Sequence, residues 1–403
     1  MAFLYGIDNT GFRIGDIRIR LFHIFVILFA IAVVIEYFIV KKEVKNILGR
    51  LFNKENRYSL FVMSIWFLYA LISFFWVQSS SYWQSAIRFF IIGIFCTITF
   101  SLFLTTKKDI FHAFQIMGVI AIIHNIIGWF EVLTPYHLFY EYIRWGNRPV
   151  SLFGNTNNFA AFLFLSVFIL FALGENSNNM VLKISYTITS ASSAILIYFT
   201  QSRGTLLGLI FGVIILIALS SADKIKTKKN LFPKRILATF LTIATITVVA
   251  VLVYMLTIGL DTSNGGRVNV IQNGFAFLFQ TNGFGVGAGN IEYWMDTNRY
   301  FIHFRNNPRE MHNWWMEILT AYGVVIFFFY VIFYYKLLRN NLVKFAKGSN
   351  QIDKSLSKAM ICIMGGFIIV STVPDTLFVH PFHWVFWAVA IAFQGVILRR
   401  RNI

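Results

Sequence analysis

Apolar runs of about 15–24 residues recur along the chain between short polar stretches, and most could cross a ~30 Å hydrocarbon core as helices. They fall at 21–40, 58–77, 86–104, 110–132, 155–173, 184–200, 204–220, 236–258, 313–335, 359–373 and 380–398, which predicts about eleven spans. The expected fold class is all-α, a polytopic transmembrane helical bundle, with 1–403 forming a single membrane domain. Its largest loop, 259–312, lies between the eighth and ninth spans. No internal repeat, low-complexity stretch or Pro/Gly/Ser-rich linker divides the chain. The first twenty residues hold Asp8, Asp16 and three arginines in place of an apolar core, so no cleavable signal peptide is expected.

Composition agrees with the pattern. The chain is 57% hydrophobic and 13% charged, about half the charged share of a soluble domain. A net charge of +18 would suggest nucleic acid in a soluble protein, but here its distribution argues otherwise. Basic residues crowd alternate loops: 24 of the 35 lie in 41–57, 105–109, 174–183, 224–235, 336–358 and the tail from Arg399. By the positive-inside rule that side is cytoplasmic. This topology leaves the N-terminus outside with Arg13, Arg18 and Arg20, against the rule. A re-entrant or interfacial segment, or a start lacking a first helix, would account for it. Cys96 and Cys362 sit in apolar runs and suggest buried side chains with neither a disulfide nor a metal role.

The remaining eleven basic residues are all arginine, whereas all seventeen lysines fall on the cytoplasmic side. Arginine's planar fork binds phosphate bidentately, whereas lysine is a hydrated point charge. The outer face is therefore expected to hold an anion.

Within the long outer loop, Asn264 is a candidate N-cap for a short amphipathic helix with Val268, Ile271, Phe275 and Leu278 on its apolar face. Arg267 would then sit in the first turn, where free N–H groups favour an anion; the alternative is an ordinary surface arginine. The glycines of 283–289 superficially resemble a dinucleotide loop, but no βαβ unit surrounds them, and a flexible turn is expected. His312, before Asn313 and two tryptophans, is either a base for a sugar hydroxyl or a residue of the interfacial aromatic belt. Arg203 occupies a tight turn between two spans, where its charge needs a partner. Asp375 is a candidate counter-charge for it, or an orienting group for His312. Arg88 and His124 are intramembrane ionisable residues, either functional or held by snorkelling and structural hydrogen bonds. His380 and His383 have ligand-like spacing without a third ligand nearby. No Asp-x-Asp motif occurs, and no metal or other cofactor is expected.

Four segments together resemble the O-antigen ligase and bacterial polysaccharide polymerase superfamily. They are Ser151–Ala160 with Asn157 and Asn158, Gln201–Gly204, Gly266-Arg267 with the 283–289 loop, and His312-Asn313 ending at Gly323. The resemblance runs from roughly 110 to 400. It implies a C-type glycosyltransferase fold that acts without metal on undecaprenyl-diphosphate-linked glycans at the outer face of the bacterial cytoplasmic membrane. It implies that Arg203 and Arg267 bind the donor diphosphate and that His312 acts as base on the acceptor hydroxyl. Asp375 corresponds to a late family aspartate. Arg148, Asn157, Asn313 and Arg88 are additional site candidates, and 259–312 is expected to carry part of the active site. The family usually has one more leading helix, which fits the odd N-terminus.

The motifs do not separate polymerases, which join repeat units, from ligases, which pass a glycan to another acceptor. Abundant Lys, Asn, Ile and Phe suggest a low-GC genome of Gram-positive type and favour a polymerase of capsule, exopolysaccharide, O-antigen or teichuronic acid. Membrane lipid, a chain-length regulator and a flippase are the expected partners, and nucleic acid is not. A flippase identity for the chain itself is the reading from a different class, disfavoured because no repeated halves appear and the ionisable residues gather at the outer rim.

Overall fold

The computed structural model describes residues 12–14, 17–19, 28, 31, 35, 56–138, 146–224, 262–298, 309–348, 350–374 and 376–398. Strands β1 (Phe12–Ile14) and β2 (Ile17–Ile19) pair antiparallel, and the other elements are helical. Helices α1 (Arg57–Ile72, continued by a 3-10 turn at Ser73–Phe75), α2 (Ser80–Phe103), α3 (Lys107–Leu133), α4 (Thr156–Asn176), α5 (Met180–Phe199) and α6 (Arg203–Lys224) form the first series. Helices α7 (Thr262–Gln280), α8 (Ile291–Thr297), α9 (Trp314–Lys347), α10 (Gln351–Val370) and α11 (Pro381–Leu398) form the second.

Seven of these, α1 to α6 and α9, are long and apolar enough to cross a membrane, which makes this a polytopic helical membrane protein. The expected spans at 21–40 and 236–258 lie outside the described residues, so the count of eleven is not reached among the described ones. Helix α10 begins at Gln351, ahead of the expected 359, and takes in Asp353, Lys354 and Lys358. Asparagine opens several helices: Asn155, Asn179, Asn313 and Asn350 each accept backbone N–H bonds as N-caps of α4, α5, α9 and α10.

The chain divides into two compact units, the first made of Met1–Phe61, Ile91–Leu209 and Phe378–Ile403, the second of Val62–Phe90 and Ile210–Leu377. In the first unit α4 is apolar all round and almost wholly buried, packed by α3 and α5. Small residues allow the close approach. A Cβ on Gly118 would lie 2.8 Å from the Leu173 side chain, and one on Gly128 3.0 Å from Phe159.

A buried polar latch closes the segment between α3 and α4. Glu131 Oε2 accepts the backbone N–H groups of Val150 (2.8 Å) and Ser151 (2.7 Å). Its Oε1 lies 3.5 Å from His137 Nδ1, and His137 Nε2 bonds Gly146 O at 2.7 Å. His124 Nδ1 meets Ser151 Oγ at 2.8 Å, among Phe153, Phe159 and Phe162. Of its two sequence readings, His124 therefore takes the structural one.

In the second unit α9 is not one straight span. Trp314 and Tyr330 are 16 residues apart, about 24 Å on a straight helix, yet Trp314 Nε1 donates to Tyr330 Oη at 2.8 Å. The rings of Trp315 and Tyr334 are likewise only 5.2 Å apart. The chain reverses at Gly323 (φ 75, ψ −179), a conformation essentially restricted to glycine. A short arm, 314–322, thus folds back on a long arm, 324–347. The expected continuous span 313–335 is corrected accordingly: periodicity sees apolar residues on both sides of the break and cannot sense the backbone reversal. Trp66 of α1 fills the angle, its ring within 5.0–6.0 Å of those of Phe90, Tyr322, Tyr330 and Trp314.

Glu131→Ala should cost about 3–5 kcal/mol, because it strands two buried N–H groups and leaves His137 without its carboxylate. Glu131→Gln, which keeps an acceptor, should cost less. Thermal unfolding in detergent reads the order of the two variants.

Candidate functional site

The second unit builds a site around the foot of the short arm. His312 takes a left-handed conformation (φ 48) just before the N-cap Asn313. Asn313 Oδ1 accepts from Trp315 N (3.1 Å) and Met316 N (3.2 Å), and Trp314 N donates to Ser371 O at 2.9 Å. The first three N–H groups of this half-helix are therefore already engaged. Its end contributes a positive dipole, while any direct hydrogen bond to an anion must come from side chains.

Helix α7 supplies such a side chain. It starts at Thr262, earlier than expected, so Asn264 lies inside the helix and Arg267 in its second turn. Arg267 and Gly274 are two turns apart and share a face. A Cβ on Gly274 would stand 2.9 Å from Met311 Cε and 2.8 Å from Thr320 Oγ1, so that face packs on the residue preceding His312. Arg267 is half-buried, and burial lowers the pKa of its guanidinium. It has no ion pair or hydrogen bond among the described residues. Arg309, by contrast, pairs with Asp296 at 3.2 Å. A desolvated guanidinium without a counter-charge favours an anionic ligand.

The glycine loop holds the fold-back in place. Val286 N donates to Thr320 O (2.9 Å), Gly287 N to Ala321 O (2.9 Å), and Val324 N to Gly283 O (3.0 Å). Tyr69 Oη and Trp76 Nε1 bond the carbonyls of Phe284 (2.6 Å) and Gly285 (3.1 Å). Gly283, Gly285, Gly287 and Gly289 all have positive φ. A Cβ on Gly285 would come within 2.7 Å of Ala321 O, and one on Gly289 within 2.4 Å of Tyr82 O. The expected flexible turn is instead a tightly docked clasp whose glycines serve close backbone approach.

One acid escaped the sequence reading. Glu317 is the sole carboxylate of α9, and Thr376 Oγ1 donates to its Oε1. With Trp314 N on Ser371 O, this bond ties Ser371 and Thr376 to the short arm. A lone acid in so apolar a helix was the available signal. Asp375 itself lies outside the described residues.

The remaining candidates separate. Arg203, in the first unit, opens α6 after a tight turn with Gln201 at φ 58, and it is exposed with no ion-pair or hydrogen-bond partner among the described residues. Arg148 is half-buried in the segment fixed by Glu131, and Asn157 lies in the first turn of α4, its N–H bonded to Asn155 Oδ1 at 2.8 Å. Arg88 is exposed and turned back on its own helix, Nη2 to Ser85 Oγ at 2.8 Å and Nε to Gln84 O at 3.3 Å. His383 is buried and accepts from Trp387 Nε1 at 3.1 Å. Among the described residues no group of three candidate metal ligands occurs.

Residues 188–331, which include Arg203, Arg267, the glycine clasp and His312, match the family described as O-antigen ligase. The chain thus combines spanning helices with a segment similar to the O-antigen ligase family, and the resemblance carried by the four motifs is borne out. Among curated proteins it is similar to the teichuronic acid biosynthesis protein TuaE of Bacillus subtilis (strain 168). The two are 29% identical over 368 residues, covering 85% of this chain and 73% of the relative.

Gly323→Ala and Gly285→Ala should each destabilise the second unit by about 1–3 kcal/mol, through strained φ and collision with backbone atoms. Gly283→Ala, whose Cβ would meet only Val324 Cγ2 at 3.5 Å, should suffer strain without the collision and cost less. Detergent thermal unfolding of the three variants checks the ranking.

Proposed function

We propose that this protein polymerises undecaprenyl-diphosphate-linked oligosaccharide repeat units into a surface polysaccharide at the outer face of the cytoplasmic membrane. The observation that supports the reading is Arg267: a half-buried guanidinium with no counter-charge among the described residues, on the face of α7 that meets Met311. The similarity to a teichuronic acid biosynthesis protein favours a polymer product over transfer to a lipid acceptor.

In this reading His312 removes the proton of the acceptor hydroxyl. The hydroxyl oxygen attacks the anomeric carbon from the face opposite the diphosphate. The bond from that carbon to the diphosphate oxygen breaks with inversion, and undecaprenyl diphosphate departs with the electron pair. Arg267 stabilises its developing charge, and Asp375 orients His312. Diphosphate is already a good leaving group, so the step calls for no metal. A flippase supplies the units and a chain-length regulator limits the product.

The test is incubation of purified protein with lipid-linked repeat units alone. The reading predicts a ladder of longer glycans, reduced about 10²–10³-fold in rate by Arg267→Ala or His312→Ala. Arg267→Lys should recover little, because the bidentate contact is lost. No ladder, but transfer to an added acceptor, would make the protein a ligase, which the family description also fits. Passage of units across vesicles without bond formation would contradict both.

A further inference from the structure

Helix α7 presents two faces with different surroundings. Its inner face, with Val270, Asn273, Phe277 and Leu278, is buried. Its outer face leaves Phe275 43% and Phe279 77% exposed, one helical turn apart. The tight turn after α7 (Asn282 N to Phe279 O, 3.1 Å) brings Phe284, 63% exposed, close behind them. Phe284 in turn abuts the end of α1, because its carbonyl accepts from Tyr69 Oη and its neighbour's from Trp76 Nε1. There the exposed stripe Leu68, Ile72 and Phe75 runs along α1 at i, i+4 and i+7 and ends at Phe75. The aromatic edge of α7 thus continues the stripe that α1, as a spanning helix, turns to lipid. Trp76 and Trp83 lie at the same level, their indole N–H groups bonded to carbonyls of Gly285 and Ala70, where an aromatic belt marks the boundary between headgroups and hydrocarbon.

We propose that Phe275, Phe279 and Phe284 are inserted into the bilayer leaflet at the Phe75 end of α1, so that α7 is an interfacial helix lying on the membrane. The lipid surface is the occupant because the edge is aromatic, uncharged and continuous with a lipid-facing stripe. Arg267 lies about 120° round the helix from Phe279, on the flank where an interfacial helix carries its basic residues at headgroup level. On the functional reading above, that depth is where a lipid-linked diphosphate resides. The helix would thereby set the height of the guanidinium to that of its ligand.

The test needs no activity. Both native cysteines, Cys96 and Cys362, are buried, so single cysteines at Phe279→Cys, Phe284→Cys and, as a water-exposed control at the far end of α9, Lys347→Cys can carry an environment-sensitive fluorophore. The full chain is reconstituted in phosphatidylcholine vesicles with or without lipid spin-labelled at carbon 5. The expected result is blue-shifted emission at 279 and 284, quenched about twofold or more by the spin-labelled lipid and little by iodide, with the reverse at 347. Labels at 279 and 284 that behave like the control would overturn the proposal. So would labels reached by neither quencher, which would place another part of the chain over this face. Vesicle quenching and glycan-ladder formation are separate readouts, so either reading can fail without the other.

Discussion

Three backbone hydrogen bonds between the 283–287 strand of loop and the break in α9 hold the second unit's architecture in place. A helix that reverses among buried side chains frees carbonyl and N–H groups where water cannot satisfy them, at several kcal/mol each if left unpaired. Here Thr320 O, Ala321 O and Val324 N find Val286 N, Gly287 N and Gly283 O. The pairing requires backbones in near contact, which is why Gly285 and Gly323 tolerate no Cβ. Because the break is clasped, the short arm is fixed against the long one, and the loop end of α7 is fixed to both. The position of His312 at the foot of that arm follows from this constraint.

Charge around the foot is distributed with corresponding economy. The half-helix spends its first N–H groups on Asn313 and Ser371, and Arg309 is matched by Asp296. Arg267, on the face of α7 that meets Met311, is half-buried and has no counter-charge among the described residues. The polar latch of the first unit shows the opposite treatment: Glu131 is buried completely, yet two N–H groups and a histidine surround it.

Much of this was legible in the sequence, and what was missed has physical causes. Long apolar runs identified the helices from α1 to α6, because length and hydropathy are what a bilayer selects. The confinement of lysine to alternate loops raised the expectation that arginine binds an anion on the other face. What periodicity could not register was the reversal at Gly323, since both arms of α9 are apolar. Nor could the glycines of 283–289 announce whether they confer freedom or close contact, because both uses leave the same letters. Glu131 and Glu317 were passed over as single acids near span ends. Their roles depend on backbone groups of Val150 and Ser151 and on Thr376, partners that sequence distance conceals.

The central claim is the proposal that Arg267, which has no counter-charge among the described residues and lies on the face of α7 that meets Met311, binds a lipid diphosphate. Native mass spectrometry of the purified protein with undecaprenyl diphosphate, without glycan or acceptor, addresses it most directly. The account predicts a bound complex that weakens by about tenfold or more in Arg267→Ala and is unchanged in Arg309→Ala, whose charge is already paired. Equal binding by the wild type and Arg267→Ala would contradict it.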